Sequence, residues 1–273
     1  MGRESTTLRI RQRDARALAG TAPAFRRVEV VAIALFPVLA LALLSRVWGS
    51  LASLRFALLA ALAGFLLADF ISGFAHWFFD TWFSPETPFI GRAFVRTFRE
   101  HHVDPKAICR HDFVETNGSN MLAGGIIVLV GHAVESAGED FGASALLVAG
   151  LLSSVTSQIH KWAHAERVPR AVGWLQRARL LLSPSAHGAH HAAPYDRAYC
   201  ITSGWLNDAL HWVGFFRSIE RLVRATTGAV PRRDDIGTEA AIALVEDDQR
   251  STSASQPAPS AIVTSVVGTP TRK

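Results

Sequence analysis

Eleven histidines stand in this chain, and nine of them fall into four clusters. His76 keeps company with acids: Asp69, Gly73, His76 and Asp80 step by four, three and four residues and share one helical face. His101 and His102 follow Glu100, with His111 close behind. His160 and His164, at i and i+4, aim both imidazoles at one point on a helix. His187-x-x-His190-His191 does the same if helical, because i+3 and i+4 flank one stripe. His132 and His211 stand apart. Converging imidazoles suit iron, copper, zinc or nickel. Nine exceed the roughly four to six ligands that one ion takes, and are right for two ions. No thiolate joins them, because Cys109 and Cys200 are the only cysteines. Neither a disulfide framework nor a cysteine metal site is indicated.

The elements that position these clusters are apolar. The chain has 273 residues, 49% of them hydrophobic. Val30–Leu44, Thr116–Val134 and Phe141–Ile159 carry no charge, and Arg55–Asp80 encloses only Asp69. A membrane-spanning helix needs about 20 mostly apolar residues, and the last three stretches qualify directly. The first is short unless Glu29, Ser45 and Trp48 lie at the interfaces, where tryptophan is common. The expectation is an all-α polytopic membrane protein with about four transmembrane helices. Four buried helices of a soluble protein are the alternative, but the chain supplies too few polar partners of similar length to cover them.

Arginine placement orients the spans. Arg3, Arg9, Arg11, Arg13, Arg16, Arg26 and Arg27 precede the first. Arg92, Arg96, Arg99, Lys106 and Arg110 lie between the second and third, and Lys161, Arg167 and Arg170 follow the fourth. The loop Glu135–Asp140 has no cation, and the first loop has only Arg46 and Arg55. Both termini and the long connector are therefore expected in the cytoplasm. Anionic lipid head groups account for the net charge of +5 without any nucleic acid. The late apolar run lacks a small-residue cleavage site and reads as an anchor, not a signal peptide.

The expected organisation is a basic, mobile leader over 1–27, a membrane domain over 28–226 and a disordered tail over 227–273, rich in Ser, Thr, Pro and charge. Val172–Leu182 and Trp205–Arg224 read as helices lying on the membrane surface. On this topology all nine clustered histidines collect at the cytoplasmic face, which turns a count into a site. A transporter would place its ligands at mid-membrane instead. His132 reads as a packed, hydrogen-bonded helix residue and His211 as interfacial. Asp69 is either helix–helix glue or functional. Asp80 either orients His76 or ligates.

Taken together, Ala68-Asp-Phe-Ile-Ser-Gly-Phe-Ala-His76-Trp-Phe-Phe-Asp80, Phe98-Arg-Glu-His101-His102-Val-Asp-Pro105, His111-Asp-Phe-Val-Glu115-Thr-Asn117, Gln158-Ile-His160-Lys-Trp-Ala-His164 and Leu182-Ser-Pro-Ser-Ala-His187-Gly-Ala-His190-His191 resemble one family. This is the plasmanylethanolamine desaturase, or Kua-type lipid desaturase, family, which includes a bacterial regulator of light-induced carotenoid synthesis. The resemblance covers roughly Phe65 to Phe216. It implies an integral enzyme of the bacterial inner membrane that forms the vinyl-ether double bond of plasmalogens from alkyl-ether phospholipids. It further implies two ferrous ions on His76, His101, His102, His111, His160, His164, His187, His190 and His191, with O2 as co-substrate.

Removing hydrogen from an unactivated methylene needs an oxidant that no side chain provides, so a metal cofactor must carry that step. Asp80, Asp104, Asp112 and Glu115 are expected to orient the ligands. Asn207 and Asp208 read either as neighbours of the irons or as a helix cap. No flavin or haem motif occurs, so electrons are expected from a separate carrier of the cytochrome b5 or ferredoxin type with its reductase. The same core also suits an acyl-lipid desaturase or hydroxylase. A non-catalytic membrane regulator that binds metal is the alternative of another class.

Overall fold

In hydrocarbon every backbone N–H and C=O must be satisfied within the protein, and for a long apolar run a helix achieves this alone. The computed structural model describes residues 23–83, 85, 87–192, 196–229 and 231. The leader through residue 22 and the tail from 232 lie outside the described residues. All regular structure among the described residues is helical. Helix α1 spans Pro23–Val47, α2 Leu54–Trp82, α4 Phe113–Ser136, α5 Asp140–Ser154 and α6 Thr156–His164. Three of them (α1, α2 and α4) are long and apolar enough to cross a membrane, and α5 with α6 makes a fourth span if the bent pair is counted as one.

Two spans differ in detail from the sequence reading. The apolar run Val30–Leu44 looked short, yet α1 has 25 residues, about 37 Å at roughly 1.5 Å per residue. Its helix continues through Arg26, Arg27 and Arg46, charges that end a hydropathy window without ending a helix. The fourth stretch is not straight: α5 and α6 meet at Val155 with a bend of 41°. There the Asn120 amide of α4 donates to the Ser153 carbonyl at 3.0 Å. A side chain inserted into the backbone ladder is a recognised cause of a kink.

The spans pack through small residues. Gly64, Gly124, Gly131 and Gly150 lie at helix contacts, and Phe36, Ala40, Leu43, Val128, Ala143 and Leu147 form the core between α1, α4 and α5. Close approach of backbones is how helices associate when burial from water contributes nothing between them. Leu41, Leu58, Leu62 and Leu129 point outward, as a lipid-facing surface requires. Helix α2 has 29 residues, about 43 Å against a hydrocarbon thickness of about 30 Å. That length is enough for the end bearing His76 and Asp80 to reach beyond the apolar layer.

The remaining elements gather at that end. A π-helical turn, Gly91–Val95, runs into α3, Arg96–Val103. Beyond the spans come α7 (Arg170–Arg177), α8 (Pro184–Gly188), α9 (Asn207–Trp212) and α10 (Phe215–Thr227). The expected surface helices are thus shorter than read. The first stops at Arg177, with Arg179 in the left-handed region (φ 59), and the second breaks at Gly214 (φ 63). Helix α10 keeps the expected two-faced character: Phe216 packs on Trp77 and Tyr199, while Arg221 and Arg224 face outward. The Trp77 indole N–H donates to the buried Glu220 at 3.0 Å, fastening α10 to α2.

Candidate metal centre

Each helix end delivers its histidines to one place. His101 on α3, His160 and His164 on α6, His187 on α8 and His191 just beyond it form the first group. One ring nitrogen from each lies within 4.8 Å of all the others. The Nε2 atoms of His160 and His187 are 2.8 Å apart, as are those of His191 and His101. His191 and His187 are 2.9 Å apart, and His187 and His101 3.4 Å.

The second group is His76, Asp80, His102 and His190. Asp80 Oδ2 lies 2.9 Å from His102 Nε2, 3.3 Å from His76 Nε2 and 3.4 Å from His190 Nε2. The groups adjoin: the His76 and His160 rings are 5.6 Å apart.

The helix expected over His187–His191 ends at Gly188, and the turn that follows changes the outcome. His191 joins the first group and His190 the second. A continuous helix would have pointed both at one stripe. Instead one short segment supplies side chains to two neighbouring groups, each close enough to hold an ion.

An irregular strap, residues 196–206, orients the second group. The Nδ1–H of His76 donates to the Tyr199 carbonyl at 3.2 Å, and that of His190 to the Arg197 carbonyl at 3.1 Å. Protonation at Nδ1 leaves the Nε2 lone pairs aimed inward, the arrangement by which ligating histidines are usually fixed. The strap is held in turn by Asp69, whose carboxylate accepts from the backbone N–H of Ser203 (2.7 Å), Gly204 (2.9 Å) and Leu206 (3.0 Å). Asn207 braces it through both backbone groups of Cys200. Gly73 permits the close approach, since a Cβ there would stand 2.4 Å from Cys200 Sγ.

These residues fit metal ions. Nitrogens that face a common centre cannot satisfy one another, because each contact between neutral rings holds one proton at most. Metal–nitrogen bonds of about 2.0–2.1 Å place neighbouring ligand nitrogens about 3.0–3.4 Å apart, close to the spacings here. His76 Nε2, Asp80 Oδ1 and His164 Nε2 are buried without a hydrogen-bond partner among the described residues. Buried polar atoms left this way are rare unless an ion or water completes them. Imidazole and carboxylate without thiolate is a donor set for iron, copper or zinc.

Burial, and then crowding by the other imidazoles, pushes His101, His187 and His191 below the ordinary histidine range. They are held neutral, which is the metal-binding form. In the unfolded chain the same rings titrate near about pH 6.5. Below that pH the unfolded state binds more protons than the folded one, so stability falls as pH falls and is complete above it. The metal-free protein in detergent is expected to unfold at a distinctly lower temperature at about pH 5.5 than at about pH 7, with little change from about pH 7 to about pH 8. A midpoint constant across the acidic interval would show that these rings titrate alike folded and unfolded.

The other expected site residues join neither group, and His111 forms with Glu100 and Glu115 a third group whose atoms lie close enough to hold an ion. His111 Nε2 is 3.1 Å from Glu100 and 3.9 Å from Glu115, in a third cluster that Arg96 bridges with bonds of 3.0 and 2.9 Å. Asp104 accepts from Arg110 at 2.7 Å and from the Lys106 backbone. Asp112 caps the start of α4 and pairs with Arg26 at 2.6 Å. Asp208 is exposed, and His211 lines a surface groove with it. His132 bonds to the Leu39 carbonyl at 3.1 Å, joining α4 to α1.

Three contributors escaped the sequence reading: the Tyr199 and Arg197 carbonyls, and Arg99, whose buried guanidinium reaches the Asp80 and Phe83 carbonyls at the end of α2. The strap has no periodicity to reveal it, although a buried acid at Asp69 signalled that something polar must meet α2.

A cavity of about 310 Å³ opens between α2, α3, α4 and the α5–α6 bend, and both His101 and His160 face it. Ile71, Ala75, Phe79, Phe94 and Phe98 make one wall apolar. A slot of this kind beside a metal centre suits a lipid chain.

Comparison with known proteins agrees with this geometry. The family model described as the lipid desaturase domain matches residues 65–234. The chain is 48% identical over 241 residues to the plasmanylethanolamine desaturase of Myxococcus xanthus, covering 87% of this chain and 86% of that protein. It is 42% identical over 188 residues to plasmanylethanolamine desaturase 1 of Mus musculus, covering 66% and 69% of the two chains. It is 32% identical over 176 residues to the chloroplastic fatty acid desaturase 4 of Arabidopsis thaliana, covering 64% and 54%. No solved structure matches.

Proposed function

The chain belongs to the lipid desaturase family, and on that premise we propose that it forms the vinyl-ether double bond of a plasmalogen in the alkyl chain of an ether phospholipid. The observation that carries this reading is the pair of adjoining ligand groups facing a lipid-sized slot, in a chain nearly half identical to a plasmanylethanolamine desaturase.

In this account His101, His160, His164, His187 and His191 hold one iron ion, and His76, Asp80, His102 and His190 the other. Two irons with O2 would supply the oxidising power that no side chain has. The balance is simple. The –O–CH2–CH2– unit loses two hydrogens and becomes –O–CH=CH–. Those hydrogens, two electrons from a cytochrome b5 or ferredoxin-type carrier with its reductase, and two protons reduce one O2 to two waters.

The chain's own residues do the positioning. The strap carbonyls hold His76 and His190 with Nε2 inward. Phe79, Phe94 and Phe98 flank the slot and keep water from the chain. His111 takes its place in the ion-pair cluster with Glu100 and Glu115, and Asp104 and Asp112 shape the connector.

Arg26, Arg27, Arg92, Lys106, Arg110, Arg167 and Arg170 fall at the site end of the bundle, against Arg46 and Arg55 at the other, where Glu135, Glu139 and Asp140 also lie. That asymmetry supports a cytoplasmic site in a bacterial inner membrane.

The test is purified protein supplied with iron, a reducing system and an alkyl-ether phospholipid. The expected product is two mass units lighter and acid-labile. Failure to form a vinyl ether under turnover, with an acyl alkene or a hydroxylated lipid in its place, would contradict the substrate assignment.

A further inference from the structure

The slot beside His101 and His160 has a second wall unlike the first. Against the apolar side from α2 and α3 stand Ser119 and Asn120 on α4, Ser153 on α5 and Ser157 on α6. A serine in an apolar helix ordinarily turns its hydroxyl back onto a carbonyl one turn earlier. Ser154 does so to Leu151 at 2.7 Å, and Thr156 to Leu152 at 3.1 Å. Ser153 does not. It is 6% exposed, and its hydroxyl has no hydrogen-bond partner among the described residues.

Asn120 adds to this wall. One of its amide hydrogens goes to the Ser153 carbonyl, and its oxygen accepts from Ser157 at 2.8 Å. That leaves its second N–H to donate. Turned about its χ1, the buried Ser153 hydroxyl joins the Asn120 N–H as a donor on this wall, and a bare hydrocarbon chain has nothing to accept them. A buried donor left unmet carries a penalty, so the slot is built for a chain that brings an oxygen with it.

The cavity itself says where that oxygen lies. Ser153, Ser157, His101 and His160 all line it, on the two sides of the α5–α6 bend. An oxygen held at Ser153 therefore shares the slot with the carbons presented to His101 and His160. We propose that Ser153, seconded by Asn120, donates a hydrogen bond to the ether oxygen of the lipid and thereby sets which carbons meet the metal centre. This rests on the ether-lipid reading above and makes Ser153 a positioning residue for it.

The test compares two lipids on the metal-free protein in detergent: an alkyl-ether phospholipid, and its analogue with a methylene in place of the ether oxygen. The wild-type protein is expected to bind the ether lipid about five- to tenfold more tightly, the effect of one such bond. Ser153→Ala should bind both alike, and Ser153→Thr should restore the preference. Equal binding of the two lipids by the wild type overturns the proposal, whatever the variants do. So does a preference that survives in Ser153→Ala. Failure of the functional reading looks different: the wild type would then make no vinyl ether at all, whereas vinyl-ether formation with equal binding removes only the role of Ser153.

Discussion

His160→Ala and His190→Ala, one from each ligand group, are each expected to lower vinyl-ether formation by more than about 100-fold. Losing a partner that merely orients a ligand costs about 10–100-fold in affinity or activity, and losing the ligand itself costs more. The two variants should differ in what they retain. In His160→Ala the four members of the second group remain assembled around Asp80, so one iron per chain should persist. In His190→Ala the first group keeps all five imidazoles, and again one iron should remain. His111→Ala is the informative contrast, since that ring lies against Glu100 and Glu115. It should keep both irons and measurable turnover. Iron analysis with product quantification decides each case, and full activity in either alanine variant removes that residue from the ligand set.

Asp69→Ala is expected to lower stability by at least about 3 kcal/mol. Three backbone N–H groups of Ser203, Gly204 and Leu206 converge on this fully buried carboxylate. Each donor stranded in the interior costs about 1–3 kcal/mol, and a charged acceptor lies at the upper end. The consequence reaches the metal groups, because the freed strap carries the Tyr199 and Arg197 carbonyls that hold His76 and His190. Iron in the second group should therefore leave to a mild chelator more readily than iron in the first. Asp69→Asn keeps one acceptor oxygen and should fall between. Thermal unfolding in detergent, read alongside chelator release, measures both; an unchanged midpoint in Asp69→Ala would show that the strap is held by other contacts.

Much of this clustering was legible in the chain because most of its histidines lie on periodic elements. The steps from Asp69 to Asp80 and from His160 to His164 announce helical faces, and charge-free runs announce the spans that end beside them. Positive charge gathered near the histidines is the ground for expecting that end in the cytoplasm. What stayed hidden was set by contacts distant in sequence. Nothing local reveals that Asn120 meets the Ser153 carbonyl and marks the bend between α5 and α6. Nothing local reveals that Asp69 gathers the backbone of residues 203–206, since an irregular segment takes its shape from its partners.

His187, His190 and His191 show the limit most clearly. Their spacing reads as one helical stripe, and the end of α8 at Gly188 sends them to two centres instead. Asp112 shows the converse, for an acid next to His111 in sequence is engaged in capping α4 and pairing with Arg26.

The account stands on two metal ions powering lipid desaturation, and an iron titration tests that directly. Metal-free protein is loaded with ferrous iron in steps and given an alkyl-ether phospholipid, O2 and a reducing system, while vinyl ether is counted against iron bound per chain. The account predicts no product without iron, binding that saturates at two ions per chain, and full activity only as the second site fills. Vinyl-ether formation by the metal-free protein, or an inactive protein carrying two irons, would contradict it.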